Sequence, residues 1–99
     1  MKHTALSATL LALCLGSFAS AQTVAEGHIG CTSEGALDEF MTAARNNDLR
    51  QGDLLLGSVC FPIGGLELSE VDMGLLKSII RVYTENGTAV LWVVSEAAR

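Results

Sequence analysis

Few residues in this chain have chemistry to offer: Cys31 and Cys60, His28, and the group Arg81, Tyr83 and Trp92. Two cysteines in an oxidising compartment read as one disulfide. That bridge closes a loop of about 30 residues, worth ~3.6 kcal/mol in the chain-entropy model of cross-linking. The pair lacks Cys-x-x-Cys spacing, so redox activity is not expected. A structural zinc is the rival reading. Two thiolates and the imidazole of His28 would leave the fourth corner of its tetrahedron empty, so neither metal nor cofactor is expected.

Catalytic machinery is thin. His28 is the only imidazole base beyond residue 21, and it lies in a glycine-flanked stretch ill suited to holding a reacting group still. Asp38 and Glu39 are neighbours that point apart on a helix. Glu67 with Ser69, and Glu70 with Asp72, line up along a strand, where charge discourages edge-to-edge association. Gly64-Gly65 has no Gly-Lys-Ser/Thr after it and reads as a turn rather than a phosphate cradle. Asn86-Gly87-Thr88 matches a glycosylation acceptor, but the same residues are hairpin chemistry. No catalytic residue is expected, and the chain reads as a non-enzyme. Tryptophan, tyrosine and arginine dominate binding hot spots. A guanidinium over an indole adds ~0.5–1 kcal/mol at an exposed site. Arg81, Tyr83 and Trp92 are therefore the candidate binding residues, although Trp92 has a rival role in closing a small core.

The elements that must position these residues begin after an export signal. Met1-Lys2-His3 is a positive start, Ala5 to Leu15 is apolar apart from Ser7 and Thr9, and Ala19-Ser20-Ala21 suits signal peptidase. The apolar run is too short to span a membrane, and large Leu13 before Cys14 argues against a lipid-anchored form. Residues 1–21 are thus expected to be cleaved, leaving a periplasmic or extracellular product with no stable membrane anchor. Past the cut, Arg45, Arg50, Lys77, Arg81 and Arg99 face 11 acidic side chains, a net charge of 5 − 11 = −6. Such a surface excludes nucleic acid and anionic lipid, and suits a basic partner or plain solubility.

Residues 22–30 are short, polar and glycine-punctuated, and are expected to form a flexible lead-in to one small domain, 31–99. Thr32 or Ser33 caps a helix from Ser33 to about Asn46, with Leu37, Phe40, Met41 and Ala44 on its apolar face. Residues 48–57 read as a connector. Strands are expected at 58–63, with Pro62 at an edge, and at 66–72. Asn86-Gly87 between two apolar, β-branched runs is a strong hairpin signal. Counting outward from it sets Arg81 against Trp92, Tyr83 against Val90 and Ile80 against Val93. Ile80, Val82, Leu91 and Val93 then share the core face, and Arg81, Tyr83, Val90 and Trp92 share the other. A rival reading caps a helix at Ser69 and stops it at Asn86-Gly87, against Gly74 and the β-branched density of Ile79, Ile80, Val82 and Thr84.

Ser58-Val59-Cys60-Phe61, a glycine turn, the strand from Leu66 and the Ile80–Thr84/Ala89–Trp92 hairpin together resemble the small SH3-like β-barrel domains of exported bacterial proteins. The resemblance spans roughly residues 58–94 and is one of strand pattern. It implies recognition of peptides or cell-wall material through aromatic residues, here Tyr83 and Trp92. The expected architecture is α+β: one N-terminal helix on an antiparallel sheet of about four strands that curls toward a barrel, stapled to it by Cys31–Cys60. Three functions fit: a binding or accessory module for a protein or cell-envelope component, an acidic inhibitor of a basic, lysozyme-like enzyme, and, last, a small hydrolase using His28. Oligomeric state has no signature in these residues.

Overall fold

A computed structural model describes residues 22–99. The expected export signal lies outside the described residues. The chain is α+β. Its elements run β1 (Ile29–Cys31), α1 (Glu34–Arg45), α2 (Leu49–Leu55), β2 (Cys60–Pro62), β3 (Glu67–Asp72), β4 (Lys77–Thr84), β5 (Gly87–Val94) and a closing 3₁₀ turn, Ser95–Ala98. Five antiparallel strands lie in the order β2-β1-β5-β4-β3. The sheet has five strands rather than four, and it is open. Its ends are β2, shortened by Pro62, and β3, which carries Glu67, Glu70 and Asp72.

Helix α1 forms where its pattern says. Ser33 Oγ accepts the Ala36 N–H at 3.1 Å, Glu34 sits in the first turn and Arg45 in the last. It is preceded by β1, so it does not lead the fold. Its buried face is set by Leu37, Ala36 and Ala43, with Phe40 and Met41 partly covered, while Ala44 is exposed. The expected connector holds a second helix, α2. Asp48 Oδ1 caps it through the Gln51 N–H, and Asn47, at φ 54°, reverses the chain between the helices. Of its leucines only Leu55 is buried.

The hairpin prevails over the rival helix, and β4 pairs with β5 along eight residues each. The pairing is displaced from the counted one. Thr84 Oγ1 accepts the Asn86 N–H and donates to the Gly87 carbonyl, so Glu85-Asn86 makes the turn and Gly87, at φ 129°, follows it. Moving a turn by one residue changes each cross-strand partner by two, and strand faces repeat every two residues. Ile80, Val82, Leu91 and Val93 therefore remain together and buried, but Arg81 faces Val90, and Trp92 faces Ile79.

The sheet is a middle layer with a cluster on each side. On one face Ile80, Val82, Leu91, Val93 and Leu68 are sealed by Val24, Ile63, Ala97 and Ala98. The other face carries Cys31, Cys60 and half-buried Trp92 under Leu37, Leu55 and Phe40. Residues 22–30 are not set apart from the domain but bonded into it. Val24 donates to the Leu66 carbonyl, Ala25 donates to that of Ala97, and Ile29 and Gly30 belong to β1. An almost wholly buried valine and a half-strand in the sheet hold this lead-in in place.

Candidate functional site

The disulfide links Cys31 to Cys60. The two stand directly opposite each other on β1 and β2, so the bridge staples strand to strand; the helix reaches it only by packing above. Both sulfurs are fully buried. A bridge buried to this depth suits a structural link between the two strands.

The helix layer covers only part of its sheet face. It lies over β2, β1 and the C-terminal half of β5, where Trp92 packs against the disulfide cluster. Lys77, at the start of β4, marks the boundary: its Nζ donates to Glu34 Oε2 at 2.6 Å and to Asp38 Oδ1 at 3.0 Å. Hydrogen bonding to Glu34, then to Asp38, raises the Lys77 pKa above its ordinary 10.5. Beyond this ion pair β4 and β5 run out from under the helix with Arg81, Tyr83 and Val90 exposed. Tyr83 shares its pair position with Glu67 and Thr88, and its Oη lies 3.0 Å from Ser69 Oγ. Arg81 stands between Ser69 and Val90 and makes no ion pair among the described residues.

Of the three expected binding residues, then, Arg81 and Tyr83 are together and accessible, whereas Trp92 lies under the helix layer. The expected Arg81–Trp92 cross-strand pair is not formed, because Val90 occupies the position opposite Arg81.

The other sheet face holds a feature the sequence did not announce. An apolar groove of about 400 Å³ opens between the outer hairpin and the Phe61–Leu66 segment. Val82, Ala89 and Leu91 form its floor and one wall; Phe61, Pro62 and Leu66 form the other. It exists because β1 turns into α1 at Ser33 and meets β5 only at Cys31↔Trp92. The sequence signal was available in Thr32-Ser33: a cap that starts a helix also ends the strand before it.

His28 is half-buried at the entry to β1, where its carbonyl accepts the Ile63 N–H, and no carboxylate pairs with its ring among the described residues. Among those residues no trio of His, Cys, Asp or Glu is grouped to hold a metal ion, and no helix is long and apolar enough to cross a membrane. Comparison with protein-family models, with curated proteins and with solved structures finds no match.

Proposed function

We propose that this protein is an exported, non-enzymatic binding module that recognises a protein or cell-envelope component through the outer half of its β4–β5 hairpin. The single observation that carries the reading is the overhang itself. Arg81, Tyr83 and Val90 are exposed on two strands paired with each other along eight residues, and the apolar groove opens on the reverse face. An aromatic side chain supplies a large contact area at low conformational-entropy cost, and an arginine adds a charged, planar hydrogen-bonding fork, the two side-chain types that dominate binding hot spots. Trp92 shares this sheet face but belongs to the cluster under the helices, so the surface is assigned to Arg81, Tyr83 and Val90 without it. The strand-pattern resemblance to SH3-like exported domains is in keeping with a recognition role, although the sheet here is open.

The test is capture from a periplasmic extract with the wild-type protein and with an Arg81→Ala/Tyr83→Ala variant of equal melting temperature. Loss of a specifically retained component in the variant is the expected result; an unchanged set of retained components would remove the surface from consideration. Export carries its own check. Mass spectrometry of the secreted product is expected to find Gln22 as its first residue and a mass two hydrogens short of the dithiol form.

The inhibitor reading rests on the acidic surface, net −6 over residues 22–99. Association with a basic enzyme such as lysozyme would then weaken steeply between low and high salt. Salt-independent association, or none, removes that reading.

A further inference from the structure

We propose that the open edge of β5 beside the groove accepts an extended, basic-flanked peptide as an added strand. The inference rests on the binding-module reading and names the class of partner. In an antiparallel ladder the residues flanking a two-residue turn exchange both backbone hydrogen bonds, and every second pair repeats the exchange. With Thr84 opposite Gly87, the pairs Val82–Ala89 and Ile80–Leu91 bond across β4 and β5. Thr88, Val90 and Trp92 consequently turn their N–H and C=O groups the other way, toward the position of β1. Trp92 finds Cys31 there. Among the described residues Thr88 and Val90 find no strand, because β1 has already ended, and both residues are exposed.

The molecule guards its other edges. Glu67, Glu70 and Asp72 and a register irregularity occupy β3, and β2 is three residues long and ends in Pro62. Such devices prevent strand addition. The Thr88–Val90 edge carries no charge, no proline and no bulge, and it overlooks an apolar groove. Free backbone groups beside a side-chain pocket are the two parts of recognition by strand addition: the ladder supplies affinity, and the pocket reads alternate side chains.

The occupant follows from register and charge. A peptide residue set opposite Ala89 projects over the groove, where the small alanine leaves room above Val82 and Leu91 and beside Phe61 and Leu66. An aliphatic side chain fits that uncharged lining. Glu85 lies at the hairpin turn, and Glu26 Oε2 lies beside Gly65, the residue before Leu66 of the far wall. Meanwhile Lys77 is paired with Glu34 and Asp38, and Arg81 is on the reverse face. The flanking charge favoured on the peptide is therefore positive.

The probe is the acetylated, amidated peptide Lys-Val-Thr-Val-Thr-Val-Lys, with a Glu-flanked copy and a copy N-methylated at alternate amides. Each is titrated into the oxidised protein, purified after expression of the full chain, and followed by ¹⁵N NMR. The Lys-flanked peptide is expected to shift the Thr88 and Val90 amides and slow their hydrogen exchange, and to bind at least ~10-fold more tightly than either control. Val90→Pro removes an outward donor that β4 does not use, so it is expected to weaken binding by a similar factor while the hairpin stays folded. Equal binding of the N-methylated copy would overturn strand addition and leave a side-chain binding surface standing. Capture that depends on Arg81 and Tyr83 while no peptide shifts Thr88 or Val90 would likewise overturn this inference alone. A peptide-free dimer dissolved by Val90→Pro would assign the edge to a second copy of the chain and overturn the peptide.

Discussion

Two buried serines do the least visible work in the molecule. Ser78 and Ser95 are almost fully enclosed, and their hydroxyls lie 2.6 Å apart. Ser95 donates to the Gly74 carbonyl at 2.8 Å, and the Gly74 N–H donates to Ser78 at 3.1 Å. This network fixes the β3–β4 loop, which presents Leu75 and Leu76 at 82% and 77% exposure. Ser95→Ala removes two of these bonds and leaves the Gly74 carbonyl only a long 3.5 Å contact from Ser78 Oγ, so a loss of about 1–2 kcal/mol is expected in a denaturant melt. An unchanged midpoint would mean the loop holds itself. Lys77 belongs to the same scale. Its raised pKa means that its contribution is whole below the ordinary 10.5 and is lost as pH rises through the raised value. The ion pair is exposed and screened by salt, so the expected sign is a modest, salt-sensitive fall in melting temperature at alkaline pH. That slope should flatten in Lys77→Gln; a slope that survives the substitution would implicate other groups. Neither feature was legible beforehand. A serine in an apolar strand reads as a defect until its partner across the sheet is known.

At the scale of elements, legibility followed length. Helix α1 and the β4–β5 hairpin have enough residues for their periodicity to identify them, and the hairpin's core face survived an error in its turn. The turn moved because a threonine hydroxyl bonds locally, which a pattern of apolar residues does not record. Strand β1 and helix α2 were missed, being three and seven residues long and each carrying a glycine. Gly30 has a reason of its own: a Cβ there would meet Ile63 Cδ1 at 2.9 Å and Leu91 Cβ at 3.1 Å. The absent side chain lets β1 lie flat against the core beneath Ile63. Gly30→Val is expected to cost about 1–3 kcal/mol through overpacking, read as a lower melting temperature with β1 amides exchanging faster. Retention of the wild-type melting temperature would show that Ile63 yields freely. The candidate site was half legible. Arg81 and Tyr83 share a face as expected, while the groove depends on where β1 stops, a boundary no single residue announces.

For the whole molecule, the question is what joins the helix layer to the sheet. The hairpin core is continuous from Val24 to Ala98 and contains neither cysteine of the bridge. The helix side is smaller, built on Leu37, Leu55 and the buried cystine, with the Lys77 ion pair at its margin. Strands β1 and β2 are three residues each, too short to persist as an isolated hairpin. The Cys31–Cys60 link is therefore best placed to hold this half, and its loss should act there first. A Cys31→Ser/Cys60→Ser protein is expected to lose up to ~3.6 kcal/mol, a large fraction of a small domain's total. Hydrogen exchange should report the loss unevenly, with amides of β1, β2, α1 and α2 deprotected while those of β4 and β5 remain slow. Uniform deprotection across all elements would mean that the two clusters unfold as one unit. It would then follow that the hairpin bearing Arg81, Tyr83 and the Thr88–Val90 edge cannot stand without its helices.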